Sequence, residues 1–242
     1  MQGVLYVSHG SRMLEATSEA MRCITDVKKQ VDVPLQEICF LELAEPTVEQ
    51  GMKKLVNQGA SRIAVVPVLL LSAGHYYKDI PDKLSEARER YPSITFTYGQ
   101  PLGVQDRFIQ ILMQRIAETG RAVGSDSKIL LVGRGSHNPQ TKSDVEMVRA
   151  KLGDQRPATP VDCCFLAACN PTFDQQLQVS LREGFSTLFI VPYLWFTGVL
   201  MHSIHKKVSE QMKQKTDIIV CQQLGDHPVM KAALKQRVYE AL

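Results

Sequence analysis

The sequence is poor in aromatics, which make up 7% of its 242 residues with one tryptophan. It also lacks a charge excess of either sign, with 28 Lys+Arg against 25 Asp+Glu for a net +3. A balance this mild argues against a nucleic-acid binder, which gathers basic side chains on one face. No stretch reaches the ~18 consecutive apolar residues of a membrane span. The most apolar segments, 63–73 and 188–200, each carry a proline (Pro67 and Pro192) and read as core strands. The start, Met1-Gln2-Gly3, shows neither the basic region nor the cleavage site of a secretory signal, so a cytoplasmic protein is expected. Six cysteines (Cys23, Cys39, Cys163, Cys164, Cys169, Cys221) form no Cys-x-x-Cys pair. That leaves no support for a structural zinc, a cluster or a disulfide framework, and predicts buried apolar thiols. What remains is ordinary globular composition, 44% apolar and 22% charged. The length suits one large domain or two of about 120 residues.

An internal repeat decides between these. Adding 125 to a residue number in the first half finds its counterpart in the second. Val4-Leu5-Tyr6-Val7 falls on Ile129-Leu130-Leu131-Val132, and Ser8-His9-Gly10-Ser11-Arg12 on Gly133-Arg134-Gly135-Ser136-His137. Cys39-Phe40-Leu41 falls on Cys164-Phe165-Leu166, Pro46-Thr47 on Pro171-Thr172, Gly59 on Gly184, and Val66-Pro67 on Val191-Pro192. The chain is a tandem duplication, with halves at 1–120 and 126–242 and a linker over 119–127.

Each half alternates strands with helices. The first reads as a strand at 3–7, a helix at 11–30, a strand at 35–40, a helix opened by Pro46 at its first position and closed by Gly59, and a strand at 62–71. A helix at 81–90, a strand at 94–98 and a helix at 104–118 complete the unit. Pro67 in the middle of a strand predicts a bend or bulge, repeated at Pro192. Such alternation predicts an α/β protein: two tandem, doubly wound, flavodoxin-like parallel-sheet domains. Ligands of such sheets collect beyond the carboxyl ends of the strands, so the reactive groups are expected in a cleft between the halves.

Three ionisable residues follow strand ends in the first half: His9, Glu42 and His75. Two imidazoles and a carboxylate suit a divalent cation or proton transfer. The duplication supplies a control, because the equivalent positions hold Arg134, Ala167 and Leu200. None of the three can accept a proton or ligate a metal in its place, so the scaffold is doubled while the chemistry is one-sided. The turns at Ser8, Gly10 and Ser11 and at Arg134, Gly135 and Ser136 put small residues between a strand and a helix, where backbone N–H groups attract anions. With Arg12, Lys78 and Arg134 nearby, a polycarboxylate is a better guess than a nucleotide, whose glycine fingerprints are incomplete here. His202 is expected to help hold substrate, His205 to lie at the surface, and His227, before Pro228, to be a helix N-terminal residue.

These residues resemble a known family. VSHGSR, FLELAEPTVEQG and IAVVPVLLLSAGHYYKDIP, with GRGS and FIVPYLWFTGVLM in the second half, are similar to the class II tetrapyrrole chelatases, over nearly the whole chain and most of all to the sirohydrochlorin ferrochelatases. The resemblance implies insertion of Fe²⁺ into sirohydrochlorin to give sirohaem, with the metal as substrate and no tightly bound cofactor. It assigns metal and proton chemistry to His9 and His75, with Glu42 as their acidic partner. It makes Arg12, Lys78, Arg134 and the backbone amides of the two turns candidate anchors for the eight carboxylates of sirohydrochlorin. Cobalt-inserting relatives share these motifs, but some long ones carry a His-rich segment and a cysteine cluster absent here, which favours iron. The expected partners are sirohydrochlorin and a divalent ion, without nucleic acid or membrane, and the expected state is a monomer. Two other classes fit the residues less well. A histidine phosphatase would carry an arginine where Ser8 stands, and a non-catalytic metal or tetrapyrrole binder leaves a proton-accepting site unexplained.

Overall fold

The computed structural model describes residues 1–211 and 215–242. It divides into two compact units, one comprising residues 1–103 with 228–242 and the other 104–227.

In the first unit the strands are β1 (Gln2–Ser8), β2 (Leu35–Phe40), β3 (Arg62–Val68) and β4 (Thr95–Tyr98), and the helices are α1 (Leu14–Lys28), α2 (Val48–Asn57) and α3 (Ile80–Arg90). A five-residue π-turn, His75–Asp79, leads directly into α3. The strands form one parallel sheet in the order β2-β1-β3-β4. Central β1 is inaccessible on both faces, with Val4, Leu5, Tyr6 and Val7 fully buried. That is why it reads as an unbroken apolar run rather than an alternation. On one face Leu5, Val7, Ile63 and Val65 pack with Val48, Met52 and Leu55 of α2 and Ile80 and Leu84 of α3. The other face is covered by α1 and by the last helix of the chain, α8 (Pro228–Ala241), which packs on β3 and α1.

The second unit repeats the plan with α4 (Asp106–Ala117), β5 (Ser127–Gly133), α5 (Pro139–Gln155), β6 (Val161–Phe165), α6 (Phe173–Arg182), β7 (Thr187–Tyr193), α7 (Val199–Ser209) and β8 (Asp217–Val220). Its parallel sheet has the order β6-β5-β7-β8. Here α4 packs on α5 and β7.

The compact units therefore differ from the repeats in one respect: each repeat's final helix is buried in the other unit. Arg237 of α8 donates to the Pro101 and Leu102 carbonyls, and Thr97 Oγ1 donates to the Ala241 carbonyl at 2.6 Å. In the second unit, Lys151 of α5 pairs with Asp106 of α4 at 2.7 Å. An apolar stripe shows that a helix is buried, not which sheet buries it.

Local expectations are corrected in three places. Pro46 does not open a helix. It sits in a cis Glu45-Pro46 peptide ahead of α2, and the helix starts from a capping box in which Thr47 and Gln50 exchange side-chain and backbone bonds. Pro67 causes no bulge, and β1–β3 pairing runs unbroken through Val7 and Pro67 to Ser8 and Val68. Its missing N–H faces the side where β4 has already ended, since pairing with β4 stops at Val65 and Tyr98. Pro192 repeats this, as β8 stops at Val220 opposite Ile190. All six cysteines are free, but Cys163 and Cys169 are only half-buried. Among the described residues no helix is long and apolar enough to cross a membrane.

Candidate functional site

In the order β2-β1-β3-β4 the chain leaves β1 toward one edge and returns to β3 on the other side. The loops after β1 and β3 consequently part beyond the strand ends, where open α/β sheets bind ligands. His9 directly follows β1, Glu42 lies two residues past β2, and His75 opens the π-turn after β3.

Backbone bonds fix these loops before any side chain does. The Ser8 carbonyl accepts from Leu41 N–H at 2.9 Å and the His9 carbonyl from Glu42 N–H at 3.1 Å, extending the sheet ladder past its last strand residues. Gly10 turns the chain at φ +92°, and Ser11 Oγ accepts from Met13 N–H before α1 begins.

Three side chains then converge. His9 Nδ1 lies 3.7 Å from Glu42 Oε1, and His75 Nε2 lies 3.9 Å from the same oxygen. The two imidazole rings are 4.5 Å apart between centroids. One ligand atom from each residue lies within 4.8 Å of the other two. Among the described residues no other group of three potential metal ligands comes this close. The separations are too long for hydrogen bonds. They exceed only slightly the roughly 3–3.5 Å between neighbouring ligands of an ion whose bonds are about 2.1 Å long. The His75 side chain is 19% exposed and that of Glu42 50%, so the group opens to solvent on the carboxylate side.

The sequence reading missed a fourth member. In the π-turn the Ile80 N–H bonds to the His75 carbonyl five residues back, which winds one extra residue into the turn. His75 and Asp79, four residues apart on one helical turn, lie alongside, with Nδ1 2.6 Å from Oδ2. An ionised carboxylate can only accept, so Nδ1 is the donor, and in the neutral imidazole the lone pair is then at Nε2, the nitrogen 3.9 Å from Glu42. The turn is tied to β4 and its exit. Tyr98 donates its hydroxyl to the Tyr76 carbonyl at 2.8 Å, the Tyr76 ring stacks on Tyr98, and the Tyr76 hydroxyl donates to Gln100. Burial pushes the Tyr98 phenol far above its usual range, which keeps it a donor.

The second unit has the same loops without the chemistry. The Gly133 and Arg134 carbonyls accept from Leu166 and Ala167, and Gly135 turns at φ +83°. Yet Arg134 and Ala167 are exposed, Leu200 packs against the core, and Ile204, the counterpart of Asp79, is fully buried. The same addition of 125 that silenced the other three positions picks out Asp79 as well.

The remaining expected residues lie as follows. Ser8 is buried, while Arg12 and Lys78 are exposed and form no ion pair among the described residues. In the second unit Ser136 exchanges backbone bonds with the Cys169 thiol, and its hydroxyl accepts from Asn138 N–H. His202 and His205 are exposed on α7. His227, just before α8, is 3.2 Å from Gln114, and burial followed by the Arg115 charge lowers its pKa.

Comparison with known proteins shows what the chain as a whole is similar to. The CbiX family matches residues 3–119 and again 128–241, once per repeat. A sirohydrochlorin ferrochelatase of Priestia megaterium is 42% identical, with 98% of this chain aligned to 90% of that protein. A sirohydrochlorin cobaltochelatase of the same organism is 34% identical over all of this chain and 80% of its own length. SirB from Bacillus subtilis, solved with Fe³⁺, superimposes with a TM-score of 0.89 at 39% identity, covering 99% of this chain and 95% of that one. The chain belongs to the CbiX family and carries the family's unit twice.

Proposed function

We propose that this protein inserts Fe²⁺ into sirohydrochlorin, releasing two protons and forming sirohaem. The observation that carries the reading is the convergence of His9, Glu42 and His75 in one repeat only. The ferrochelatase named above and a second one from Bacillus subtilis, 39% identical over 99% of this chain, support the substrate.

The chemistry asks for what this group offers. Two pyrrole N–H bonds must break as four nitrogens close on the metal, so ligands for the ion and acceptors for the protons are needed on one side of the ring. With His75 neutral and protonated at Nδ1, its Nε2 lone pair and the carboxylate of Glu42 are two acceptors 3.9 Å apart. That contact is repulsive until a cation or proton lies between them, so the site favours the entering metal and then the leaving protons. His9 supplies a second imidazole, 3.7 Å from the same carboxylate oxygen. Imidazole exchanges protons near neutral pH, and the Glu42 charge stabilises each imidazolium as it forms. Arg12 and Lys78, both exposed, are assigned to the carboxylate periphery of the substrate. Arg134, with the backbone of Gly135 and Ser136 and with His202, is assigned the same task in the second repeat.

Cobalt is the alternative metal, favoured by the cobaltochelatase relative and by a SirB structure solved with cobalt. The deciding experiment is an anaerobic assay of sirohydrochlorin with Fe²⁺, Co²⁺ or Ni²⁺ in parallel, followed by macrocycle absorbance. Fastest turnover with Fe²⁺ supports the proposal. Tetrapyrrole binding without insertion of any metal overturns it in favour of a carrier.

A further inference from the structure

We infer that Asp79 is a positioning residue that fixes the tautomer of His75 and thereby creates the metal-facing lone pair. The inference rests on the proposed metal-handling role of His75 and extends it to a residue outside the ligand group.

The geometry supplies the reason. An imidazole presents a lone pair at one nitrogen only when its proton is held at the other, and the hydrogen bond made by the second nitrogen decides which. Asp79 Oδ2 is 2.6 Å from Nδ1, in the range of a charge-assisted bond. With the proton held there, Nε2 is the acceptor nitrogen, and Nε2 is the atom turned toward Glu42. The alternative tautomer would place an N–H at the metal position and set a lone pair against the Asp79 carboxylate.

The contact lies within one anchored helical turn. The π-turn is the only π-helical element among the described residues, and it begins at His75 and ends at Asp79. The Tyr98 hydroxyl and the Tyr76 stack anchor it. In the second unit β8 pairs with β7 as β4 pairs with β3, and Val220 stands where Tyr98 stands. The copy that lost His75 to Leu200 also lost Asp79 to Ile204 and the anchoring tyrosine to valine. Loss of the whole set together is expected if the acid and its anchor serve the histidine. An acid kept for surface solubility or helix capping would have had no reason to go with it.

The test measures metal binding without the tetrapyrrole. Wild type, Asp79→Ala, Asp79→Asn, His75→Ala and the double variant His75→Ala with Asp79→Ala are titrated with Co²⁺, following its ligand-field absorption. Loss of a residue that orients a metal-binding histidine costs about 10–100-fold in affinity. Asp79→Ala is expected to weaken Co²⁺ by that factor. Asp79→Asn, which can still accept from Nδ1 but without a charge, is expected to fall between it and wild type. In the His75→Ala background Asp79→Ala is expected to change nothing further. Wild-type affinity in Asp79→Ala while His75→Ala is weakened overturns the role of Asp79 alone. So does an equal further loss in the His75→Ala background, which would mark a structural effect. Unchanged Co²⁺ affinity in His75→Ala itself overturns the reading of the ligand group, and the inference with it.

Discussion

Gly10 lies so close to Glu42 that a Cβ at residue 10 would sit 1.8 Å from the Glu42 carbonyl oxygen. The neighbour is backbone, so no side-chain rotation relieves the overlap, and φ +92° is strained for any L-residue. The equivalent Gly135 meets the Ala167 carbonyl at 1.9 Å. We expect Gly10→Ala and Gly135→Ala each to lose at least about 2 kcal/mol of stability. Only Gly10→Ala should also weaken Co²⁺ binding, because only there does the displaced loop carry a ligand. Equal Co²⁺ affinities in the two variants would show that the loop does not position Glu42.

Replacing His9 or His75 with Ala, or Glu42 with Gln, should lower kcat for metal insertion by two decades or more, the usual worth of a positioned proton-transfer group. Thermal stability should hold or rise, since none of the three is in the apolar core and groups gathered for chemistry are rarely optimal for folding. Activity measurements beside melting curves check both halves of this expectation. A parallel fall in Tm and kcat would reassign the group to structure.

Arg12 and Lys78 present exposed charges without ion-pair partners among the described residues. Replacing both with Ala should raise KM for sirohydrochlorin by about tenfold, as for loss of one or two charge-assisted bonds, while leaving kcat within about twofold. The wild-type KM should rise with salt as such pairs are screened, and the variant should respond less. An unchanged KM in the double variant would remove these two side chains from substrate binding.

The repeat and its alternating elements were legible because buried parallel strands are unbroken apolar runs, and β1 and β5 are buried along their length. The one-sided histidines were legible because duplication gives each site its own blank. Pro67 misled because a proline forbids only one ladder bond, and where that bond would point depends on how far β4 reaches. The exchange of α4 and α8 left no trace in periodicity, since either sheet could bury the same stripe. Asp79 was hidden because the sequence reading starts the helix at 81, which leaves His75 and Asp79 outside it, where their i,i+4 spacing carries no meaning. Comparison with Ile204 was the available clue.

Buried thiols should make stability fall in alkali. Cys39, Cys164 and Cys221 are at most 1% exposed, and burial raises each above the ordinary thiol value of 9.0, Cys221 to about 12. Below pH 9 both folded and unfolded thiols keep their protons, and the groups contribute no pH dependence. Above it the unfolded chain releases protons that the folded chain retains, so the folded state binds more and stability declines as pH rises. The decline approaches about 1.4 kcal/mol per pH unit for each such thiol, until the folded thiol itself ionises. Denaturant unfolding in reducing buffer at pH 7.5, 9 and 10 should show this slope. Cys221→Ala loses packing equally at every pH, so it should shift the whole curve down while making its alkaline limb shallower by one thiol's share. An alkaline limb as steep in the variant as in wild type would mean that Cys221 already ionises in the folded protein and is not held neutral by burial.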